Sequence, residues 1–518
     1  MTGLQRPGPK GAGEPGGVPA GAGAAPEDRR RLSPAALLAV VALCYAAAQV
    51  VLVSVDFQIG WDEAVYLSQF SANDTPLDFH PSRGWGTSLV VAPVVMITNS
   101  VAALRVYLTV VSSLLLFGSF RIWLAVRPGY TVPLAAALYA GCWSTVFYGN
   151  AAMPNLYTAF GSVALTGLVL RAVTAAGPVG RALPVAVAVV AASMTLFRPT
   201  DATVVALALA AAVLLFARGR RWGPMLITLT ALGAGLAAGW GQWLLEAVLE
   251  YGGVAQRLDG ATQNFSAPRW LLDHHLRALD GPTLCRAPES CGPVPGGGPV
   301  WLAAVVLLGV AGLLAAWRRE CRTAIAVPAA VGACFAVAYL YYGGVTAPRY
   351  MLPVLGLWAI AAAEGLLSLA GEARRRAGLA AAVACCVLVV GGHLHLQKAY
   401  LAVNVGPMTS SRAQDALVAE ALGRLGHRRP CLVYGWHAPQ IAHPLGCEAL
   451  GTAGGSPLPA TPASVLAKPA EGYTVIAVYR DDADAGAPEL AAWPEHRLTS
   501  SGWHARLSGG GADPAPAH

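Results

Sequence analysis

Charge is scarce in this 518-residue chain: Asp, Glu, Lys and Arg together make up 12%, against 55% hydrophobic residues. A water-soluble fold of this size carries roughly twice that charge, so the balance excludes one and places the chain in a bilayer. Lysine occurs only at Lys10, Lys398 and Lys468, and the net charge of +7 therefore rests on arginine. The arginines sit beside apolar runs, where they set membrane orientation. Nucleic acid is excluded as a partner on that ground. Arginine, alanine, glycine and proline share GC-rich codons, which points to a bacterial plasma membrane. Also missing are a His, Cys, Asp and Glu cluster at metal-ligand spacing and an internal repeat of the transporter kind.

What is present is a succession of apolar runs. Residues 1–33 are Gly, Pro and Ala rich without periodicity and are expected to be a disordered cytoplasmic tail. The run at 34–55 has the length of a spanning helix and follows Arg29, Arg30 and Arg31, so the N-terminus is expected inside. Backbone groups in hydrocarbon must pair within their own segment, so each further run is expected to be helical. Spans are predicted at 102–126, 131–147, 155–170, 183–196, 202–216, 224–245, 300–317, 323–341, 350–370 and 378–395. The short piece 85–98 reads as a juxtamembrane or re-entrant helix. The result is an all-α polytopic membrane domain, 34–396, of roughly eleven transmembrane helices. Arg171 and Arg181, Arg218, Arg220 and Arg221, Arg318, Arg319 and Arg322, and Arg374, Arg375 and Arg376 all fall on the cytoplasmic side. Polar loops at 56–84 and 251–299 fall outside.

The C-terminal segment is then extracytoplasmic. Its helical spacing at 411–426 and strand-like runs at 431–436, 473–479 and 503–507 predict a small α/β domain over 404–508. Residues 451–462 read as a surface loop and 509–518 as a disordered tail. Disulfides persist outside the cytosol. Cys285 and Cys291 share the long outer loop, Cys431 and Cys447 share the C-terminal domain, and the remaining cysteines fall in helices or inside.

On the outer side, Gly60, Trp61, Asp62, Glu63 and Ala64 put adjacent carboxylates just beyond the membrane. They suit either the start of an interfacial helix or a general base beside a bilayer-borne substrate. His80 and Arg83 close the same loop. Arg198 and Arg349 lie at outer helix ends, against the positive-inside expectation; together they suit a phosphate clamp, because a guanidinium matches phosphate oxygens in a fork. Adjacent His274 and His275 would point to different sides of a helix and are expected at the surface.

These patches resemble the GT-C superfamily of membrane glycosyltransferases, particularly bacterial relatives of the protein O-mannosyltransferases and the lipid A aminoarabinose transferases. The matches are Trp61, Asp62, Glu63, Ala64; His80, Pro81; Phe197, Arg198, Pro199, Thr200; and Pro348, Arg349, Tyr350, Met351, Leu352, Pro353, in that order along the chain. The resemblance implies a catalytic carboxylate at Asp62 with a supporting role for Glu63. Substrate or phosphate binding is expected at His80, Arg83, Arg198, Arg349 and Tyr350. The second outer loop, where relatives carry an acid, offers Asn150, Met153, Pro154 and Asn155 here. An amide is no base and a weak metal ligand, so Asn155 is assigned to substrate binding. No cofactor is required, although the resemblance leaves room for a divalent cation, Mg or Mn.

The expected function is an inverting transferase moving a sugar, mannose-like or other, from a polyprenyl-phosphate donor to an extracytoplasmic hydroxyl on a glycan, lipid or protein. A transporter or flippase would place ionisable groups near midplane, where these spans have few. A non-catalytic scaffold presenting the C-terminal domain is the third reading.

Overall fold

The computed structural model describes residues 32–71, 76–174, 180–216, 222–262, 268–285, 291–319, 321–341, 345–451, 462–480, 488–499 and 501–508. Apart from Leu32 and Ser33, the expected tails lie outside these residues. So do the cluster Arg218, Arg220 and Arg221 and the greater part of the 451–462 loop. From Pro34 onward the chain forms one compact unit.

The apolar runs are helices: α1 (Pro34–Leu52), the short α2 (Trp61–Ser68) and α3 (Gly86–Val95), then α4 (Val101–Trp123), α5 (Thr131–Ala140), α6 (Trp143–Phe147), α7 (Pro154–Thr174), α8 (Ala182–Phe197), α9 (Pro199–Phe216) and α10 (Trp222–Leu249). The long loop contributes α11 (Val254–Thr262) and α12 (Leu272–Arg277), followed by α13 (Gly298–Arg318), α14 (Arg322–Leu340) and α15 (Leu352–Leu425). By length and composition, seven helices among the described residues are apolar enough to cross a membrane, and α3, α5, α8 and α9 are shorter apolar helices. Counted once among the seven, α15 holds two of the expected spans, because its backbone leaves the helix at Gly378 (φ 86°), a left-handed conformation that glycine adopts without a Cβ penalty.

Side-chain contacts fix the relative directions of α13 and α15. Near the start of α13, Trp301 Nε1 donates to His393 Nδ1 (3.0 Å); at its end, Arg319 Nη1 donates to Glu364 (3.2 Å). The first half of α15 therefore runs with α13, turns at Gly378 and returns. Glu364 is fully buried and also accepts from Arg127 Nη2 (2.9 Å) and Thr131 Oγ1 (2.8 Å), which ties the end of α4 to the start of α5. This end of the bundle collects arginines. The loops after α1, α6, α8, α10 and α14 meet at the opposite end.

The span expected at 131–147 is broken. Cys142 is extended (φ −66°, ψ 133°) and α6 starts afresh, with Gln397 Oε1 accepting from the freed Trp143 N–H (2.9 Å). The helix expected at 411–426 is the end of α15 itself. From Leu379 to Leu425 it runs for about 70 Å at 1.5 Å per residue, more than twice the ~30 Å hydrocarbon core. The last span thus continues into the C-terminal domain as one rod.

That domain carries β1 (Cys431–Gly435), α16 (Ala438–Leu445), β2 (Glu448–Gly451), α17 (Pro462–Ala467), β3 (Thr474–Arg480), β4 (Glu495–Arg497) and β5 (Trp503–Leu507). The sheet order is β2-β1-β3-β5-β4. Strand β1 is parallel to β2 and β3, and β5 is antiparallel to β3 and β4. Its core joins Val433, Ile476, Trp503 and Ala505 to Val418 and Leu422 of α15 and to Ala64 and Val65 of α2. Cys431 is bonded to Cys447 and Cys285 to Cys291. The first bridge closes a loop with a sequence separation of 16, for which chain entropy gives about 3 kcal/mol. In the double variant Cys431→Ala, Cys447→Ala, hydrogen exchange of the β1 amides should quicken by about 100-fold; unchanged exchange would contradict the estimate.

Candidate active site

Helix α2 is gripped on several sides, and that grip aims its two acids in different directions. Ala64 and Val65 enter the core of the C-terminal domain, while Leu67 packs with Val91, Leu104 and Leu108 of α3 and α4. Asp62 and Glu63 occupy the first turn, where the helix dipole favours negative charge.

Asp62 keeps one third of its side chain exposed, 33% against 2% for Glu63. Arg83 Nη2 lies 2.7 Å from its Oδ1 and Arg349 Nη2 lies 3.6 Å from its Oδ2. Burial pushes the Asp62 carboxyl up, but the Arg83 and Arg349 guanidiniums outweigh it and hold the group below the ordinary aspartate value. The Nε atoms of both arginines are buried without a hydrogen-bond partner, so each retains a donor.

Their backbones are fixed independently. Arg257 Nη2 donates to the Arg83 carbonyl (3.3 Å) and its Nε to that of Pro81 (3.2 Å). Trp85 Nε1 donates to Glu246 (2.6 Å). Gly84 passes so close to α8 that a Cβ there would strike the Leu196 carbonyl. Arg349 sits on a single 3-10 turn, Pro348–Met351, ahead of α15. The disulfide-cinched loop is laced to the strand before that turn: Cys285 and Thr346 exchange backbone bonds of 2.7 and 2.8 Å.

Glu63 faces inward and spends its oxygens on the protein. It accepts from Gly60 N (2.9 Å), Ala152 N (2.9 Å), Arg412 Nη1 (2.7 Å) and both terminal nitrogens of fully buried Arg105. Burial opposes its charge, yet Arg105 and Arg412 bring its pKa down to about 2. Arg105 also donates to the Phe57, Gln58 and Asn150 carbonyls. Neither arginine was singled out by sequence reasoning. A guanidinium inside an apolar span is a usable signal for Arg105, whereas Arg412, on a polar helical stretch, gives none.

The remaining candidates divide. Tyr350 stacks between Arg198 (5.3 Å) and Arg349 (5.4 Å), which brings these three together. Arg198 is bound by Asp201 (2.7 Å) and the Tyr339 hydroxyl (2.9 Å). His80 is buried with Nδ1 on the Ser82 hydroxyl (2.8 Å), and burial lowers its pKa to about 4, so the ring is neutral. Asn155 is buried at the start of α7 with both amide atoms unpartnered. The two loop histidines are not at the surface as expected. Their short helix packs under the loop: His274 is buried, and half-buried His275 contacts the Tyr339 carbonyl (3.4 Å).

The ion pairs joined around α2 set six guanidiniums, of Arg83, Arg105, Arg198, Arg257, Arg349 and Arg412, against four carboxylates, of Asp62, Glu63, Asp201 and Glu246. That surplus suits an anion. It fits a divalent cation poorly, because Asp62 already carries two guanidiniums and Asn155 offers only an amide. His427 lies within 4.8 Å of Cys431 and Cys447, but those sulfurs are bonded to each other and are not thiolate ligands. An apolar cavity of about 390 Å³ between α13 and α14 has Pro348 and Met351, on either side of Arg349 in the chain, among its lining residues.

The helical bundle, with its charged site at one end and its small sheet domain, shares its fold with solved structures of ArnT and of an archaeal oligosaccharyltransferase. Two structures of ArnT from Cupriavidus metallidurans are similar to this chain over 91% of its length and 97% of theirs, each at a TM-score of 0.59. The one bound to undecaprenyl phosphate is 13% identical in sequence, the apo form 15%. The Archaeoglobus fulgidus oligosaccharyltransferase tethered with an acceptor peptide is 12% identical, with a TM-score of 0.52 over 86% of this chain and 69% of that one. No protein-family model and no curated protein matches the sequence.

Proposed function

We propose that this protein is an inverting glycosyltransferase that moves a sugar from a polyprenyl phosphate to an acceptor hydroxyl. The observation that carries the reading is Asp62: a partly exposed carboxylate between two arginines with spare donors, one of which, Arg349, stands in the chain between two residues that line an apolar cavity, Pro348 and Met351. The lipid chain would lie in that cavity and its phosphate on Arg349, with Arg83 and Arg198 adding charge. Asp62 takes the acceptor proton as the hydroxyl oxygen bonds to the anomeric carbon. The bond from that carbon to the phosphate oxygen breaks, and the polyprenyl phosphate leaves with its new charge balanced by guanidinium. One displacement inverts the anomeric centre. Glu63 acts as a positioning residue that holds α2. The similarity to ArnT, whose structure contains undecaprenyl phosphate, supports the donor class.

By the positive-inside rule, the arginine-rich end of the bundle is cytoplasmic and the site is extracytoplasmic. Purified protein in vesicles with a radiolabelled polyprenyl-phosphate hexose tests the reading. Release of polyprenyl phosphate is expected, and Arg349→Gln should slow it by about 100-fold, the scale set by loss of one oxyanion-stabilising donor. Label crossing the bilayer on an intact lipid would mark a transporter instead, and absence of donor binding a scaffold.

A further inference from the structure

A second apolar cavity, of about 610 Å³, opens between α5, α13 and the two halves of α15. Trp301, Val305 and Leu355 line both this groove and the cavity of about 390 Å³ that touches Pro348 and Met351. The two spaces therefore adjoin across these three side chains, near the outer end of α13. Deeper in the bundle the helices shut the way between them: a Cβ on Gly312 would strike the Ala361 carbonyl, and one on Gly365 the Leu308 carbonyl. There α13 and the first half of α15 touch backbone to backbone.

From that junction the groove runs inward along α15. Leu355 and Leu369 both line it, and their spacing on the helix amounts to about 21 Å at 1.5 Å per residue. Leu388, Gly392 and Leu396 of the returning half of α15 also line it. The imidazole in this wall offers a ligand no free polar atom: His393 Nδ1 accepts from Trp301 Nε1 (3.0 Å), and its Nε2 donates to the Leu138 carbonyl (3.0 Å). Val300, Leu307 and Leu388 line the groove and are themselves exposed, so an apolar chain can enter sideways from the bilayer.

Volume decides what the two spaces can hold. A dry apolar cavity of about 150 Å³ is filled by benzene, which is about 25 Å³ per carbon. On that scale the smaller cavity takes about 16 carbons, or about three isoprene units, and the groove about 24 carbons, or about five more. A prenyl chain longer than about three units cannot end in the smaller cavity. Trp301, Val305 and Leu355 give it an apolar way out into the groove.

We infer that the groove is a second compartment of the donor site and takes the distal isoprenes of a long polyprenyl phosphate. The assignment rests on the transferase reading above. The phosphate lies on Arg349, the first isoprenes fill the smaller cavity, and the chain passes Trp301 and runs down α15 toward the opposite leaflet. Bilayer tails are as apolar as these walls, so the groove selects by length and shape and not by transfer from water. A phosphate with about three isoprenes ends before Trp301, and one with about eight fills both compartments.

Octaprenyl phosphate with a diazirine on its third or on its sixth isoprene tests the path, on the full-length protein in phosphatidylglycerol vesicles whose acyl chains compete in excess. After photolysis the third-unit probe is expected around Val306 and Met351, and the sixth-unit probe around Leu369 and Gly392. Unlabelled undecaprenyl phosphate should compete with both. A Cβ at Gly392 meets nothing within 4 Å, so Gly392→Trp adds a ring to the groove wall without displacing a neighbour. It should cut sixth-unit labelling by about tenfold and leave third-unit labelling as it was. Third-unit labelling in the smaller cavity with sixth-unit labelling scattered over the lipid-facing helices, or unmoved by Gly392→Trp, overturns the groove and leaves the transferase standing. Probes that label neither compartment, on a protein that releases no polyprenyl phosphate from a radiolabelled donor, defeat the transferase reading as well.

Discussion

Asp62→Asn should lower transfer by about 10³-fold, within the range for loss of a general base, while the protein still folds and inserts. The amide keeps the size of the carboxylate, and the side chain is already one third exposed, so losing its ion pairs with Arg83 and Arg349 costs little stability. What disappears is the group proposed to accept the proton. The pH profile carries the sign. A base must be deprotonated, so activity falls as pH drops through its pKa. In the free protein Arg83 and Arg349 hold that pKa below the ordinary aspartate value, and the acid limb of kcat/KM should lie correspondingly low. On the proposed reading donor phosphate competes with the carboxylate for both guanidiniums, so the limb of kcat, which reports the bound complex, should lie higher. Arg83→Met, which removes the 2.7 Å partner, should raise the limb of kcat/KM. Full activity in Asp62→Asn, or limbs that coincide, would end the mechanism.

Glu63→Ala should destabilise the protein by about 3–5 kcal/mol, the usual cost of leaving a buried charge unpaired. Fully buried Arg105 would lose its carboxylate, and the Gly60 and Ala152 N–H groups would lose their acceptor. The double variant Glu63→Leu, Arg105→Met removes both charges and should recover part of the loss, because an apolar pair can replace a buried ion pair at little cost. Thermal melts in detergent distinguish the two; equal melting temperatures for wild type and Glu63→Ala would refute the account. The pairing also predicts acid sensitivity. The pKa of Glu63 is depressed on folding, from 4.5 to about 2. Its contribution of about 3 kcal/mol is complete above pH 4.5 and disappears as pH falls through 2. Activity should vanish in both variants, since α2 loses the tie that sets the direction of Asp62.

The contrast between Asp62 and Glu63 shows where sequence reasoning stopped. The two acids are neighbours, and nothing in Gly60, Trp61, Asp62, Glu63 and Ala64 assigns one to a partly exposed position and the other to a buried clamp. That assignment depends on Arg105 and Ala152, which are 42 and 89 residues away from Glu63, and on Arg412, 349 residues away. Helix α16 escaped notice because Pro439 and Pro444 interrupt its pattern. Strands β2 and β4 are four and three residues long at the sheet edges, too short for alternation to register. The break at Cys142 is likewise unreadable, since apolar residues continue through it and Gln397 supplies the compensating acceptor from a distant helix.

The sequence by itself determined that this is a multi-pass membrane protein, which apolar runs form helices and where the C-terminal strands β1, β3 and β5 fall. Lipid leaves a chain no alternative to satisfying its backbone locally, and local rules can be read from local residues. Tertiary structure alone decided which acid is accessible, which arginines hold the other, and that the last span runs unbroken into the C-terminal domain. Those outcomes depend on charges and packing faces that meet only after hundreds of residues have folded back on one another.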